Sequence, residues 1–561
     1  MLGAAKHADS AHSSRRYTPR HAISSRSFVA SALILGSGPA AAGAALALAR
    51  QPDLQITVLD LGLQLEPERR RVVDVLSHAL PSAWDDAAVR TIAVQPVGGR
   101  RRSLPQKLSY GSNFSYRDIG QLAGVSAADG ANPSIVSAAY GGFSNHWGAK
   151  IMPFPASVLD EWPVKSSEFE PHYRAILEQI PFAAEEDDLA ALFPLLGHPT
   201  PLPEASGRTN RVLAAYGRHR DRLNRSGVTL GKSRLALHAA RCVRAGLCMT
   251  GCPYSLIYSS AHTFDSMQRS GRITYRAGLL ALQVAEDARN VTVTARELST
   301  GDLHRFEAGR VYIACGAVGT TRLVLSSLGL FERELQMLES QQFTLPMLSV
   351  HPTTDPRTEA DFTLNQFNMT VANDDRGYDL SQLHFYTYSP AFLDALPRPL
   401  RNRLASPTTT QLLRRLSVVL GYVPSWRSPR LRVRVHRPAS SADLPKIDLS
   451  AGASPPDGRA MLRGVMGKVW RAGPLLDLYP VLPMLSTAAP GKSYHVGGSF
   501  PHALENQYDV LWSDRLGRVG PWRRIHLVDA SVFPSVPAAT FTLTVMANAH
   551  RIASEASKVA G

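Results

Sequence analysis

A chain of 561 residues with 44% apolar and 19% charged residues has the composition of a folded globular protein, which excludes a disordered or fibrous one. The length exceeds one ordinary domain, but large α/β proteins interleave domains from separate segments, so the domain count stays open. A net charge of +15 suits an anionic partner, yet the excess is mainly arginine spread over the chain, and no nucleic-acid-binding motif appears. We therefore expect no nucleic-acid partner and interpret the charge as a basic, solvated surface.

The first 27 residues are polar and basic and predict a disordered N-terminal arm. Arg15 and Arg16 precede an apolar run over residues 28–49, a combination that also suits an export signal or a membrane span. That run contains four residues that indicate a strand, a turn and a helix instead, namely Gly36, Gly38, Pro39 and Gly43. We therefore predict a cytoplasmic protein whose four cysteines are reduced thiols or ligands.

The same run predicts a dinucleotide site. A strand at 32–35 leads through a tight turn into a helix at 42–50, and the next strand, 56–59, ends at Asp60. In such a unit the glycines let the backbone approach a pyrophosphate at the helix N-terminus, and the acid accepts hydrogen bonds from ribose. The candidate cofactor-binding residues are Gly36, Gly38, Pro39, Ala41 and Asp60, with Ala41 in place of the third glycine. The alternative is a tight turn without a ligand.

Three further blocks carry a resemblance. A strand and a helix late in the chain, 525–556, are typical of flavoproteins in which the chain returns to its first domain. This segment, the block 311–322 and the loop 141–148 resemble the glucose-methanol-choline (GMC) family of FAD oxidoreductases. The resemblance covers residues 32–62, 138–150, 241–330 and 490–556.

The resemblance implies an α/β fold in which an FAD-binding Rossmann-like domain is interleaved with a smaller α+β substrate-binding domain built on a mostly antiparallel sheet. The predicted FAD-binding domain comprises residues 28–165, 230–330 and 486–561. The predicted substrate-binding domain comprises residues 166–229 and 331–485.

The resemblance also implies the residues around the flavin. Gly142, Ser144, Asn145 and His146 would form the flavin-facing loop. Ala314 and Gly316 would line the adenine side, and Asp529 and Ala530 would lie near the ribityl chain and flavin. His146 resembles the histidine that pyranose oxidases attach covalently to the flavin, and we predict close contact, with covalent attachment and simple packing as alternatives.

Two residues are the catalytic candidates. His495 lies in the segment 493–499, which is similar to the family's catalytic histidine motif, and histidine suits a base that takes a hydroxyl proton. The alternative is a core histidine bonded to backbone. Thr540 occupies the position where family members usually place a second histidine or an asparagine. A threonine hydroxyl can orient a substrate oxygen but cannot act as a base near neutral pH.

Three cysteines form a group in one loop, with the spacing Cys242-x5-Cys248-x3-Cys252. The loop resembles one in the catalytic subunits of bacterial FAD-dependent sugar dehydrogenases, where similarly spaced cysteines hold an iron-sulfur cluster of the 3Fe-4S type. We predict these thiolates as metal ligands, with packing as the alternative.

Together these features predict an FAD-dependent oxidoreductase that oxidises a CH–OH group of a sugar, glycoside or polysaccharide intermediate by hydride transfer to flavin N5. A dehydrogenase with an unidentified external electron acceptor is favoured over an oxygen-using oxidase. The further alternative is a weakly catalytic flavoprotein subunit of a membrane-associated assembly. The expected partners are a small-molecule or glycan substrate and, peripherally, the inner membrane.

Overall fold

A computed structural model describes residues 31–94, 107–132, 135–359, 361–374, 377–386, 389, 402–403, 406–440, 443–503 and 511–558. The predicted disordered arm, 1–27, lies outside these residues. The strands are β1 (Ser31–Leu35), β2 (Gln55–Leu59), β3 (Val125–Ala127), β4 (Val228–Lys232), β5 (Thr274–Arg276), β6 (Leu279–Glu286), β7 (Val291–Glu297), β8 (Leu303–Ala308), β9 (Arg310–Ile313), β10 (Glu334–Glu339), β11 (Gln342–Leu348), β12 (Phe367–Ala372), β13 (Leu380–Tyr386), β14 (Leu416–Tyr422), β15 (Leu431–Val435), β16 (Ile447–Ala451), β17 (Tyr479–Pro480), β18 (Ser486–Thr487), β19 (Val496–Gly497) and β20 (Ile525–Leu527).

The α-helices of the described residues vary from one turn to five. They are α1 (Pro39–Leu48), α2 (Pro67–Ser77), α3 (Asp86–Ala93), α4 (Ile119–Leu122), α5 (Ala156–Leu159), α6 (Ser166–Leu177), α7 (Gly207–Arg225), α8 (Ser260–Arg269), α9 (Gly316–Ser327), α10 (Pro407–Leu413), α11 (Gly458–Leu476) and α12 (Thr542–Ala556). None of them contains a stretch long and apolar enough to cross a membrane.

A parallel sheet joins strands from the beginning, middle and end of the chain. Its five strands lie in the order β20-β9-β1-β2-β5, and every neighbouring pair is parallel. The central strands are short and apolar because helices cover both faces of such a sheet. The predicted strand-turn-helix is confirmed as β1 and α1. The carboxyl ends of β1, β2, β9 and β20 meet at one edge, where α/β sheets usually bind ligands.

A second, antiparallel sheet forms the other large layer. Its strands lie in the order β17-β11-β14-β13-β12-β4, and β18 also pairs with β11. Helices α7 and α11 pack on one face through a separate apolar core. β4 spans residues 228–232 and so crosses the predicted domain boundary at 229/230. The fold class predicted from the sequence is confirmed.

Two smaller sheets complete the fold. β6, β7 and β8 form an antiparallel meander, and a mixed sheet has the order β19-β10-β15-β16-β3. β19 lies directly after His495, so this mixed sheet connects the loop that carries the candidate base to the rest of the protein.

Helix α12 closes the structure against the first helix. A Cβ atom built on Gly43 of α1 would lie 2.3 Å from the carbonyl oxygen of Met546 in α12. Only a glycine therefore allows the two helix backbones to approach this closely. The returning C-terminal helix predicted from the sequence is thus held against α1 by backbone contact, not only by side chains.

Candidate active site

The glycine-rich turn is packed on one side and open on the other. Gly36 has φ +105°, and a Cβ atom there would lie 2.5 Å from the carbonyl oxygen of Ala314. A Cβ atom on Gly38, by contrast, would meet nothing within 4 Å. Pro39 begins α1, and Ala41 is fully buried beneath it. The open side of Gly38 therefore faces the N-terminus of a helix, an arrangement that suits a phosphate.

Asp60 is held at the end of β2 by two hydroxyl groups. Ser37 Oγ and Tyr275 Oη both donate to Asp60 Oδ2, the latter over 2.9 Å. Burial raises the pKa of Asp60 from its usual value to about 6. The carboxyl group is thus positioned beside the glycine-rich turn, as the dinucleotide prediction requires. Ser37 and Tyr275 were not predicted as site residues, and no local pattern marks them.

The loop 141–146 lies against the same turn. The Gly141 N–H donates to Ser37 Oγ over 2.9 Å, and a Cβ atom on Gly142 would lie 3.0 Å from the Gly38 Cα. Ser144 Oγ accepts a 2.9 Å bond from the N–H of Ser260.

The Asn145 amide donates to the carbonyl oxygens of Tyr140 and Gly142, both over 2.9 Å. Its side-chain nitrogen is therefore engaged within the loop, so any contribution of Asn145 to a cofactor site is made by shaping the loop.

His146 is half-buried among serine hydroxyls and the rings of Phe114 and Tyr116. Its Nδ1 lies 2.8 Å from Ser109 Oγ and 3.2 Å from Ser115 Oγ, while its buried Nε2 has no hydrogen-bond partner among the described residues. Burial, together with the charge of Lys107, lowers the pKa of His146 to about 3. The ring is therefore neutral, and Nε2 is the atom left to contact a bound group.

The closing segment, which follows β20 and carries Asp529, contacts helix α9 at the same sheet edge. Asp529 Oδ2 accepts a bond from Thr320 Oγ1 in α9, and Asp529 Oδ1 accepts a 2.9 Å bond from the N–H of Ser531. Burial raises the pKa of Asp529. Gly316 begins α9 with φ +74°, and a Cβ atom there would meet nothing within 4 Å. Ala314, Gly316 and Asp529 are therefore brought together at the sheet edge, although the Asp529 carboxylate bonds to protein groups.

His495 lies on a loop pressed against this closing segment. The Gly498 N–H donates to the carbonyl oxygen of Ala530 over 2.9 Å, and a Cβ atom on Gly497 would lie 2.3 Å from that oxygen. On its other side, the loop is fixed by Ser493, whose hydroxyl donates to the buried Glu339 over 2.8 Å. The glycines after His495 thus allow the loop to pack closely on the backbone of Ala530, and a close approach of flavin and substrate to these glycines stays a prediction.

The His495 ring is enclosed by aromatic groups. It stacks on Tyr422 with ring centroids 4.7 Å apart and contacts Phe541 at 4.8 Å. Burial lowers its pKa to about 3, with a further contribution from the charge of Lys150. Nδ1 has no hydrogen-bond partner among the described residues. The ring is therefore a neutral imidazole with an unused nitrogen, which does not match a core histidine bonded to backbone through that atom.

Thr540 lies one residue before Phe541, so the two catalytic candidates are brought close together. Its side-chain hydroxyl is buried and has no hydrogen-bond partner within the described part of the chain. Unpaired buried hydroxyls are uncommon because they lose their bonds to water. The Thr540 hydroxyl and the free nitrogens of His146 and His495 fit a site that receives a polar ligand.

The cysteine prediction needs correction. Cys242, Cys248 and Cys252 pack against an apolar cluster that includes Leu237 and Phe362. Burial raises the pKa of all three thiols, that of Cys248 to about 12. Over the described ranges no group of three or more His, Cys, Asp or Glu side chains is arranged to hold a metal ion. The described residues therefore do not support the predicted 3Fe-4S ligand set, and the contacts of the three cysteines fit the alternative of packing.

Four residues beside His495 were not predicted from the sequence. They are Lys150, Gln382, His384 and Tyr422, of which Gln382 and His384 lie on β13. The sequence of β13 places Gln382 and His384 at alternate positions among mainly apolar residues, and this pattern could have identified them. Polar side chains inside a protein usually bind a ligand or belong to a hydrogen-bond network.

Comparison with known proteins bears on the fold. No protein-family model matches the sequence, and no curated protein matches it. The structure of pyridoxine 4-oxidase from Mesorbium loti is 12% identical and has a TM-score of 0.60, covering 95% of this chain and 100% of its own. A formate oxidase structure from Aspergillus oryzae RIB40, from a study of FAD modification, is 14% identical with a TM-score of 0.57, covering 94% and 98%. The chain therefore has the fold that these two oxidases share.

Proposed function

We propose that this chain is an FAD-dependent oxidoreductase that oxidises a CH–OH group of a sugar, glycoside or polysaccharide intermediate. The observation that carries the proposal is the state of His495. Its imidazole is neutral, has an unpaired Nδ1, and lies on a loop pressed against the segment that closes over the sheet edge. A general base must be unprotonated and must have an atom free to accept the proton, and the first two properties meet these needs. The shared fold with two oxidases supports the same function.

The residues present fit FAD. The N-terminus of α1 with open Gly38 would hold the pyrophosphate, and Asp60 would accept bonds from the ribose hydroxyls. His146 would contact the flavin through Nε2, with covalent attachment as the alternative. When bound, FAD supplies the acceptor for the hydride that leaves the substrate carbon.

The protein's own residues handle the proton. His495 takes the hydroxyl proton as the carbonyl forms, and its neutral state above about pH 3 keeps it ready to do so. Thr540 can donate its hydroxyl hydrogen to a substrate oxygen or accept one from it, which orients the substrate. Phe541 and Tyr422 hold the imidazole plane and exclude water from it.

Two candidate functions differ in the electron acceptor that reoxidises the flavin. A dehydrogenase would pass electrons to an external acceptor, which is the alternative favoured by the sequence. An oxidase would pass them to oxygen, and the names of both solved structures support it. Oxygen consumption by the reduced protein distinguishes the two. A cytoplasmic location and association with the inner membrane stay predictions.

The test is the visible spectrum of the protein purified without oxygen, before and after candidate sugars are added. We expect flavin bands that bleach with substrate. In His495→Asn the bands should remain but bleach at least about a hundredfold more slowly, because a general base typically contributes that much. The matched control is His198→Asn, which changes an exposed histidine. A colourless protein that does not take up FAD would overturn the proposal.

A further inference from the structure

A buried polar group lies beside the candidate base. Lys150 is only 3% exposed, and its Nζ donates a 2.9 Å bond to Gln382 Oε1. The same amide oxygen lies 3.2 Å from His384 Nε2, and His384 is 2% exposed. The Gln382 amide nitrogen is directed to Met152 Sδ at 3.5 Å. We refer to Lys150, Gln382 and His384 as the lysine cluster.

The lysine cluster is connected to His495 through the ring of Tyr422. The centroid of the His384 ring lies 5.0 Å from that of Tyr422, and the Tyr422 ring also stacks on His495. In the chain, Lys150 lies four residues after His146, the last residue of the loop 141–146. Burial lowers the pKa of both His384 and His495, and a charge on Lys150 lowers the pKa of each further. Lys150 therefore lies within electrostatic reach of the candidate base.

Lys150 lacks a counter-ion in the described structure. No carboxylate among the described residues forms an ion pair with it, and its one bond to a neutral amide does not repay the burial of a full charge. Arg234, whose charge also acts on Lys150, is paired with Asp187 at 3.1 Å. Burial, with a contribution from the charge of Arg234, lowers the pKa of Lys150 well below its usual value, so the unpaired amine favours its neutral form and regains a proton beside a negative charge.

We propose that Lys150 binds a carboxylate group of the substrate, so that the oxidised alcohol belongs to an anionic molecule such as a hydroxy acid or a uronic-acid sugar. The ammonium would gain a charge-assisted hydrogen bond and a counter-ion at once, and Gln382 would keep it directed toward the site. The inference rests on the proposed function, because it assigns a substrate class to the same site.

The experiment titrates the FAD-loaded protein with acetate and with acetamide, its neutral analogue of similar shape, at constant ionic strength. The flavin difference spectrum and the unfolding temperature are both recorded. We expect acetate to bind and acetamide to bind at least about tenfold more weakly, because only acetate supplies the charge. Lys150→Met should lose the preference for acetate, and Lys150→Arg should retain part of it.

Two further variants keep the test decisive. Lys446→Met removes the same charge from an exposed position and should leave the preference unchanged. Gln382→Glu places a carboxylate beside Lys150 and should weaken acetate binding while the lysine remains, which covers the case that Lys150→Met does not fold. Equal binding of acetate and acetamide, or full acetate binding by folded Lys150→Met, would overturn the inference. A protein that takes up no FAD would instead overturn the proposed function, and the unfolding temperature would still report on acetate.

Discussion

The rings of His495 and Tyr422 stack with their planes 20° apart and their centroids 4.7 Å apart. Tyr422 ends β14 of the antiparallel sheet, whereas His495 comes from the loop before β19 of the mixed sheet. Gln342 Nε2 donates to the Tyr422 hydroxyl over 3.0 Å and so fixes the tyrosine. The antiparallel sheet therefore helps to determine how the imidazole of His495 is oriented.

Removal of the Tyr422 ring should slow flavin reduction. Tyr422→Ala leaves the imidazole without its stacking partner, so we expect the reduction rate to fall by about tenfold or more through loss of orientation. Tyr422→Phe retains the ring and loses only the bond from Gln342, so it should keep most of the rate. Anaerobic stopped-flow reduction by the identified substrate measures both. Equal rates for the two variants would show that the stacking does not position His495.

The two glycines of the first turn should respond differently to alanine. Gly36→Ala places a Cβ atom 2.5 Å from the Ala314 carbonyl oxygen at φ +105°, so we expect a loss of about 1–3 kcal/mol in unfolding free energy. Gly38→Ala meets no protein atom and should leave stability nearly unchanged while weakening FAD binding. Urea unfolding of the apoprotein and FAD titration separate the two effects. A Gly38→Ala protein with unchanged FAD affinity would contradict the pyrophosphate site.

The pH dependence of flavin reduction should reflect the lowered pKa of His495. Its pKa lies near 3 instead of the usual 6.5, so the imidazole stays unprotonated through weakly acidic conditions. We therefore expect no decline of kcat/KM on the acid side near pH 6.5, because the imidazole is still unprotonated there. A steady-state profile from pH 4.5 to 8 tests this. A single protonation near pH 6.5 that inactivates the enzyme would contradict it.

Asp60 should cost the apoprotein stability at neutral pH. Its folded pKa of about 6 exceeds the usual value of 3.8, so between these values the unfolded chain loses the proton first. Stability therefore falls as pH rises through this window and stays lower above it. Asp60→Asn should be more stable than wild type at pH 7.5, by up to about 3 kcal/mol, and equal to it below pH 3.8. The same variant should bind FAD more weakly. Urea unfolding at the two pH values and FAD titration provide the measurement.

The cysteine loop should contain no iron. Because the three half-buried thiols pack against apolar side chains and the described residues show no metal-binding group there, we expect iron and sulfide well below one equivalent in protein purified without oxygen. Cys248→Ala should keep the flavin spectrum and lose about 1–2 kcal/mol of stability from the packing of its sulfur. Stoichiometric iron that disappears in Cys248→Ala would restore the cluster predicted from the sequence.

The sequence by itself determined the features that depend on near neighbours in the chain. A glycine turn between an apolar strand and an alanine-rich helix allows few conformations, so β1, α1 and the position of Asp60 could be predicted. The histidine loop and the closing helix could be predicted for the same reason, together with their resemblance to a known family.

The tertiary structure decided what surrounds each of these groups. Lys150 and β13 are 230 residues apart, and their meeting beside His495 depends on how two sheets pack. Whether the three cysteines act as ligands or as packing residues also depends on the tertiary structure. The same spacing suits metal ligands where the surroundings stabilise thiolates, and it suits packing where they do not. Charge and protonation in a buried site follow from desolvation by distant segments, and a linear pattern does not contain that information.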